Sequence, residues 1–324
     1  MIKLDLKDRK ILYELNDNSR QSYSKIAKKV GLSKDTVQYR VNKLIKNGVI
    51  TRFYTTIDSF KLGYTSIRFY LVFQNTTPEI REEIINYFSN LDQIFNCASI
   101  EGRYDLVVNL WIKNQDELYQ IWETFLKKYK KYIQKEVFTT YIESNEFRFS
   151  YILKDQYLPS DRKKTNIIKA TGKTIVIDNI DRNILKLLAV NTRIPIKDIS
   201  DNLNSSVTTI SQRIKNLEKI GLIVGYKVGI NLNKIGYTRF KVDIFLNDYS
   251  MKTKIINYVK NNPHLTWVSK SIGVSDLEFE FDVQNLEKLY EILQDLTLKY
   301  PDAIRNYSYF YIVNRHRLKL IPYN

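Results

Sequence analysis

One cysteine, Cys97, and two histidines, His264 and His316, are present among 324 residues. A lone cysteine forms no intrachain disulfide, and two histidines far apart in sequence give no metal-ligand spacing. No stretch of about eighteen apolar residues occurs, so no membrane-spanning helix is expected. A charged-then-apolar leader ending in small residues is also missing, so no signal peptide is expected. A disulfide-stapled scaffold, a structural metal protein and a helical membrane protein are thereby excluded. The expectation is a soluble protein of the cytoplasm with no metal or cofactor.

Acidic residues are scarce as well: 51 Lys and Arg stand against 35 Asp and Glu, a net charge of +16. Its distribution is uneven, at +7 over residues 1–60, −1 over 61–150, +4 over 151–173, and +3 over each of 174–233 and 234–324. The dense positive charge of the first segment suits a surface that faces phosphate, although a lysine-rich, AT-biased genome gives a basic balance by itself.

What is present centres on residues 33–48. Val37, Val41 and Leu44 recur at helical spacing and form one apolar stripe. Ser33 stands at the N-cap position and Gly48 where the helix should stop. The other face carries Asp35, Gln38, Tyr39, Asn42, Lys43 and Lys46, polar and mostly basic. A second short helix precedes it over 22–30, with Tyr23, Ile26, Ala27 and Val30 on one side and only Gly31-Leu32 between the two. This is the helix-turn-helix pattern, whose second helix enters the major groove. An amphipathic hairpin with a solvated basic face has the same pattern. A first helix is expected over 5–17, capped by Asp5 or Asp8, and a strand over Val49–Tyr54, from which Arg52 could reach a phosphate.

The pattern occurs twice. A shift of 173 residues lays Leu4–Tyr64 on Ile177–Tyr237 without a gap, with roughly one position in three identical. Asp8-Arg9, Arg20, Ser33, Thr36, Arg40 and Gly63-Tyr64 recur as Asp181-Arg182, Arg193, Ser206, Thr209, Arg213 and Gly236-Tyr237. The chain is a tandem duplication. The second reading helix offers Thr208, Ser211, Gln212, Lys215, Asn216 and Lys219, a less basic face, and Asn204 replaces the corner Gly31. Amides and hydroxyls such as Gln38, Asn42, Ser211 and Gln212, with Tyr39, suit base edges. Arg40 and Arg213 flank the apolar stripe, where a phosphate contact is favoured over an internal ion pair with the first helix.

Between and after the modules the period changes to two and back. Ile67-Phe69-Leu71-Phe73 alternates with Arg68-Tyr70-Val72, and the order strand, helix, strand, strand, helix, strand follows to about Phe149. The second copy repeats this order from Phe240 to Val313. Each is an α+β ferredoxin-like sandwich, βαββαβ. The expected division is 1–60 and 174–233 for the two winged modules, 61–150 and 234–324 for the two sandwiches, and 151–173 for a linker containing Pro159, a basic run and Gly172. Such a linker allows the two sandwiches to pair within one chain, which predicts asymmetric DNA half-sites. Glu278 and Glu280 share one face of a strand, read as solvent-exposed, with an acidic pocket wall or a self-association surface as the alternative.

Asp-Arg-x-Ile-Leu, Asn-x-Arg, Ser-x-x-Thr-(Val/Ile)-x-x-Arg and Gly-(Leu/Val)-Ile, followed by a βαββαβ domain, resemble the leucine-responsive and asparagine-regulator (Lrp/AsnC) transcription regulators. The resemblance covers nearly the whole chain, twice. It implies a regulator of double-stranded DNA, associated with the chromosome, that self-associates through the sandwiches and senses a small molecule, commonly an amino acid. It also implies an effector site at a Gly-x-x-Asp loop. Here the matching residues are Gly102-Arg103-Tyr104-Asp105 and Gly273-Val274-Ser275-Asp276, where backbone N–H groups could hold a carboxylate and Asp an ammonium. An ordinary hairpin turn capped by Asp is the other reading. Two further functions compete: an architectural protein that coats DNA with little sequence preference, and an enzyme, because siroheme decarboxylases resemble this arrangement. Such chemistry calls for a general acid or base, usually His, and both histidines lie in the second copy.

Overall fold

The computed structural model describes residues 2–322 except 158, 159, 161, 163, 164 and 171. Pro159 and most of the basic run of the expected linker thus lie outside the described residues. The first module holds α1 (Leu6–Asp17), α2 (Tyr23–Val30) and α3 (Lys34–Lys46). Asp5, Ser22 and Ser33 cap them by accepting from the N–H of Asp8, Lys25 and Thr36. The caps satisfy backbone donors that a helix start leaves without intrahelical partners. Gly31 closes α2 in the left-handed region at φ 65°. The second module repeats this with α6 (Asn179–Val190), α7 (Ile196–Asn202) and α8 (Val207–Lys219), and Asn204 takes φ 48° at its corner.

The strands that follow, β1 (Ile50–Ile57) and β7 (Ile223–Ile230), pair antiparallel with each other, Phe53 opposite Val228 and Tyr54 opposite Lys227. The strand expected after each helix-turn-helix therefore finds its partner in the other copy, and the ladder ties the two modules together.

The first sandwich comprises β2 (Thr65–Phe73), α4 (Pro78–Asn90), β3 (Ile94–Gly102), β4 (Leu106–Ile112), α5 (Gln115–Tyr129) and β5 (Ile133–Phe147). The second comprises β8 (Thr238–Leu246), α9 (Lys252–Val259), β9 (Leu265–Ile272), β10 (Leu277–Val283), α10 (Leu286–Lys299) and β11 (Ile304–Leu318). Both show the βαββαβ order of the sequence reading. Alternation decides which face meets the helices: Ile67, Phe69, Leu71 and Phe73 join Phe88 and Phe125 in one core, while Phe240, Val242 and Ile244 join Leu293 and Leu296 in the equivalent one.

The two sheets are one. Their strands run β2-β4-β3-β11-β8-β10-β9-β5, and β2 pairs with β5 to close the circle. The joints are made by the long strands. The first part of β5 completes its own sandwich against β2, and its second part crosses to β9 of the other copy. In the same way β11 begins on β8 and ends on β3. The closing strand expected over Val137–Ile142 is thus longer at both ends: its start extends the ladder with β2, and its end serves a partner more than a hundred residues away.

The expected linker at 151–173 is only partly a connector. Phe149, Tyr151 and Ile152 are buried in the core of the first module, where the Phe149 N–H donates to Asn16 Oδ1. A further strand, β6 (Thr165–Lys169), pairs with β5. Leu320 and Ile321 pack onto the second module in the corresponding place.

Candidate nucleic-acid interface

The polar faces of α3 and α8 are free of the core. Asp35, Gln38, Tyr39, Asn42, Lys43 and Lys46 are exposed on α3, Tyr39 by 67% despite its ring. On α8 Thr208, Gln212, Lys215, Asn216 and Lys219 are exposed and Ser211 is half-buried. Hydroxyl, amide, phenol and ammonium groups on the outward side of a second helix are the chemistry that meets base edges and phosphates. Ser33 and Ser206 also act inward: each caps its helix and lies 2.8 Å from the hydroxyl of Thr36 or Thr209.

Three arginines of the expected interface have partners within the protein. Arg40 Nη1 donates to Asp5 Oδ2 and Asp8 Oδ1, both at 2.7 Å. Arg213 does the same to Asp178 at 2.7 Å and Asp181 at 2.9 Å. The internal ion pair, the alternative to a phosphate contact at these positions, is formed in both copies, because the acids of the preceding helix start lie within reach. The hydrogen bonds that Arg40 donates to Asp5 and Asp8 raise its affinity for its proton. Burial works to raise the Asp5 carboxyl, but the Asp8 N–H and Arg40 outweigh it and hold it below its ordinary value. Arg52 lies across the ladder from Gly229, with its guanidinium 5.8 Å from the Tyr54 ring and its Nε buried. It is half-buried in the joint between the copies.

A residue the sequence reading passed over is Lys61. Its ammonium donates to the carbonyls of Ile220 and Gly221 at 2.9 and 3.0 Å, capping α8 of the other copy. Cations at a helix C-terminus favour its carbonyl dipoles. The signal was present, since Lys61 recurs as Lys234 in the repeat.

The two Gly-x-x-Asp loops are tight turns with their aspartates engaged. Asp105 Oδ2 accepts from the Phe73 N–H at 2.7 Å, and Asp276 Oδ2 from the Leu246 N–H at 2.8 Å. Tyr104 is buried and stacked on Tyr70 with ring centres 4.4 Å apart. Gly102 and Gly273 have φ near +134° and +142°, and a Cβ on either would stand within 2.6 Å of a carbonyl in the other copy. Their first task is close approach of the two halves. Arg103 is exposed beside the Tyr104 and Phe245 rings, whereas the second loop has Val274 there.

Comparison with known proteins supplies the family. The winged helix-turn-helix DNA-binding family matches residues 4–51 and again 177–224. An uncharacterized HTH-type transcriptional regulator of Pyrococcus furiosus is 33% identical over 115 residues, 36% of this chain and 76% of that relative. The HTH-type transcriptional regulator Ptr1 of Methanocaldococcus jannaschii is 34% identical over 115 residues, with the same coverage of each chain. The chain belongs to the Lrp/AsnC family. Its duplicated form within that family has a structural counterpart: the siroheme decarboxylase NirDL matches over 98% of this chain and 94% of its own, with a TM-score of 0.65 and 12% identity. At that identity the likeness concerns the fold alone. Of the two histidines of this Lrp/AsnC protein, His264 Nδ1 lies 2.7 Å from the Asp282 carbonyl oxygen and burial lowers its pKa. His316 Nε2 lies 2.8 Å from Ser99 Oγ.

Proposed function

We propose that this Lrp/AsnC protein is a sequence-specific regulator of transcription that reads double-stranded DNA through two unlike helices, α3 and α8, held in one chain. The observation that carries the reading is the pair of exposed polar helix faces on modules joined by the β1–β7 ladder. Because the faces differ, the preferred site has two different half-sites. Gln38, Tyr39, Asn42, Ser211 and Gln212 take base edges in this reading. Lys43, Lys46, Lys215 and Lys219 take phosphates.

Selection of bound duplexes from a random pool with the intact protein, near physiological salt, tests it. An enriched asymmetric motif is the expected result. A symmetric motif would overturn the assignment of distinct half-sites, and tight binding with no motif would favour an architectural coat. No retention even at low salt, where several phosphate contacts raise affinity by orders of magnitude, would remove DNA from the account.

A small molecule with a carboxylate, such as an amino acid, modulates the protein at the first loop in this reading. Support comes from the exposed Arg103 beside Gly102, which the Val274 loop does not match. Thermal shift with a panel of amino acids checks it: a ligand that stabilises the protein should lose its effect in Arg103→Ala.

A further inference from the structure

The inner faces of the closed sheet meet along an approximate twofold axis, yet the residues that meet are not alike. Arg68 on β2 and Lys241 on β8 are counterparts, as are Tyr70 and Asp243. The register extends this to β4 and β10, where Val107 lies opposite Tyr70 as Glu278 lies opposite Asp243. Glu278 is therefore the counterpart of a valine.

The cations and acids form one buried group. Arg68 Nη2 lies 2.5 Å from Glu278 Oε1, and Lys241 Nζ lies 2.5 Å from Glu278 Oε2 and 3.4 Å from Asp243 Oδ1. Arg68, Asp243 and Glu278 are at most 2% exposed. Burial works against the charge of Glu278, but Arg68 and Lys241 outweigh it and hold the carboxyl well below its ordinary range. The acidic face read from Glu278 as solvent-exposed is thus an internal pairing surface. On the opposite side of the axis Tyr70, Ala98, Ile100, Tyr104, Val107 and Phe310 make an apolar cluster. At the rim, Lys270 of the second half reaches Glu143 of the first at 2.8 Å, where the counterparts Ser99 and Asn314 are neutral.

Exchange of partners between chains would break this balance. If two first sandwiches paired, each Arg68 would face Val107 in place of Glu278, which leaves two buried guanidiniums without their carboxylates. If two second sandwiches paired, Glu278 and Asp243 from both sides would gather four carboxylates around two lysines. Only the unlike pair brings two cations to two acids. A buried charge whose partner is removed is strongly destabilising, and repulsive or unpaired charge in the wrong complex is how interfaces gain specificity.

We infer that the buried Arg68–Glu278–Lys241–Asp243 group makes the first sandwich a partner for the second sandwich only. It excludes like-with-like pairing between chains, and equally any single-copy relative that lacks a carboxylate at the Glu278 position. This pairing rule does not depend on what α3 and α8 touch.

The test starts from the intact folded protein. A protease recognition sequence is inserted beside Gly172, which is exposed and would meet no described residue if it carried a side chain. The chain is cut in place, and isotope-labelled and unlabelled cut proteins are mixed in mild denaturant and returned to buffer. Native mass spectrometry then reads the pairs. The expected result is that labels exchange while pairs stay unlike, with a bias of about a hundredfold over random sorting. Like pairs making up half of the total, the random share, would overturn the rule. In the cut Arg68→Leu protein, first-half like pairs should appear; their continued absence would also count against it. The uncut chain gives a reading that needs no exchange. Arg68→Leu and Glu278→Leu should each lower the unfolding midpoint, and the double variant should recover most of the loss. A double loss equal to the sum of the two would sink the role assigned to the pair.

Discussion

Arg20 and Arg193 each complete the other's module. Arg20 donates to the carbonyls of Thr192 and Ile194, and Arg193 to those of Ser19, at 2.5 Å, and Gln21, at 3.1 Å. Arg193 also lies 4.3 Å from the Tyr23 ring, and Arg20 lies 5.8 Å from the ring of Tyr226. The Asn-x-Arg motif that recurs in sequence is thus a reciprocal clamp between the helix-turn-helix modules. Arg20→Ala leaves buried carbonyls without charged donors, so a loss of about 2 kcal/mol is expected in denaturant unfolding. Because the modules then loosen, selected duplexes should also tolerate a wider range of half-site spacings. Unchanged spacing would show that the β1–β7 ladder suffices by itself.

Under the proposed function, Tyr39 and Arg40 separate reading from holding. Tyr39 is exposed and makes no contact with the core, so Tyr39→Ala should leave stability within about 0.5 kcal/mol. It should change base preference at one position of the selected site by about 1–3 kcal/mol. Arg40→Ala removes the tie to Asp5 and Asp8, a partly exposed network for which a loss of about 1 kcal/mol or less is expected. Because that tie fixes α3 on α1, the variant's DNA binding should weaken on matched and scrambled duplexes alike if the proposed interface is correct. Parallel binding curves for the two variants on both duplexes check this division.

Gly102→Ala puts a methyl group 2.6 Å from the Tyr309 carbonyl oxygen, at a φ that side chains rarely adopt. A cost of about 2 kcal/mol follows from the backbone conformation, before any separation of β3 from β11. Thermal unfolding of Gly102→Ala beside Arg103→Ala distinguishes packing from ligand contact. The glycine change should lower the midpoint without ligand, and the arginine change should not.

Acid should act through Glu278. Its carboxyl titrates lower in the folded chain than in the unfolded one, because Arg68 and Lys241 outweigh its burial. The stability it contributes is therefore fully present above the unfolded value, about 4.3, and is lost as pH falls from there toward the folded value. Midpoints measured down from neutral pH should fall more steeply in the native protein than in Glu278→Gln, whose amide takes up no proton. Equal slopes would place the acid sensitivity elsewhere.

Local order was legible in the sequence and long-range partnership was not. Val37, Val41 and Leu44 marked α3, and the alternation in β2 marked which face meets α4 and α5, because both patterns come from neighbours in sequence. The repeat and the family motifs then supplied the domain order. For Arg40 the ion pair with the first helix was one of two open readings, and its acids, Asp5 and Asp8, are brought within reach only by the packing of α1 on α3. Glu278 was read as solvated because its partners, Arg68 and Lys241, lie on other strands, one of them in the other copy. Strand β6 fell within the expected linker, since five residues with two adjacent isoleucines and no alternation signal a strand only when an open edge is waiting, here that of β5.

The placement of α3 and α8 in one polypeptide also alters how the molecule can change. When two identical subunits read a palindrome, a substitution in the reading helix is expressed on both sides, and both halves of the target must change to match. Here a substitution at Tyr39 leaves Gln212 untouched. Under the proposed function, each half of the recognised site can therefore drift singly, with the unaltered helix keeping the protein in place meanwhile.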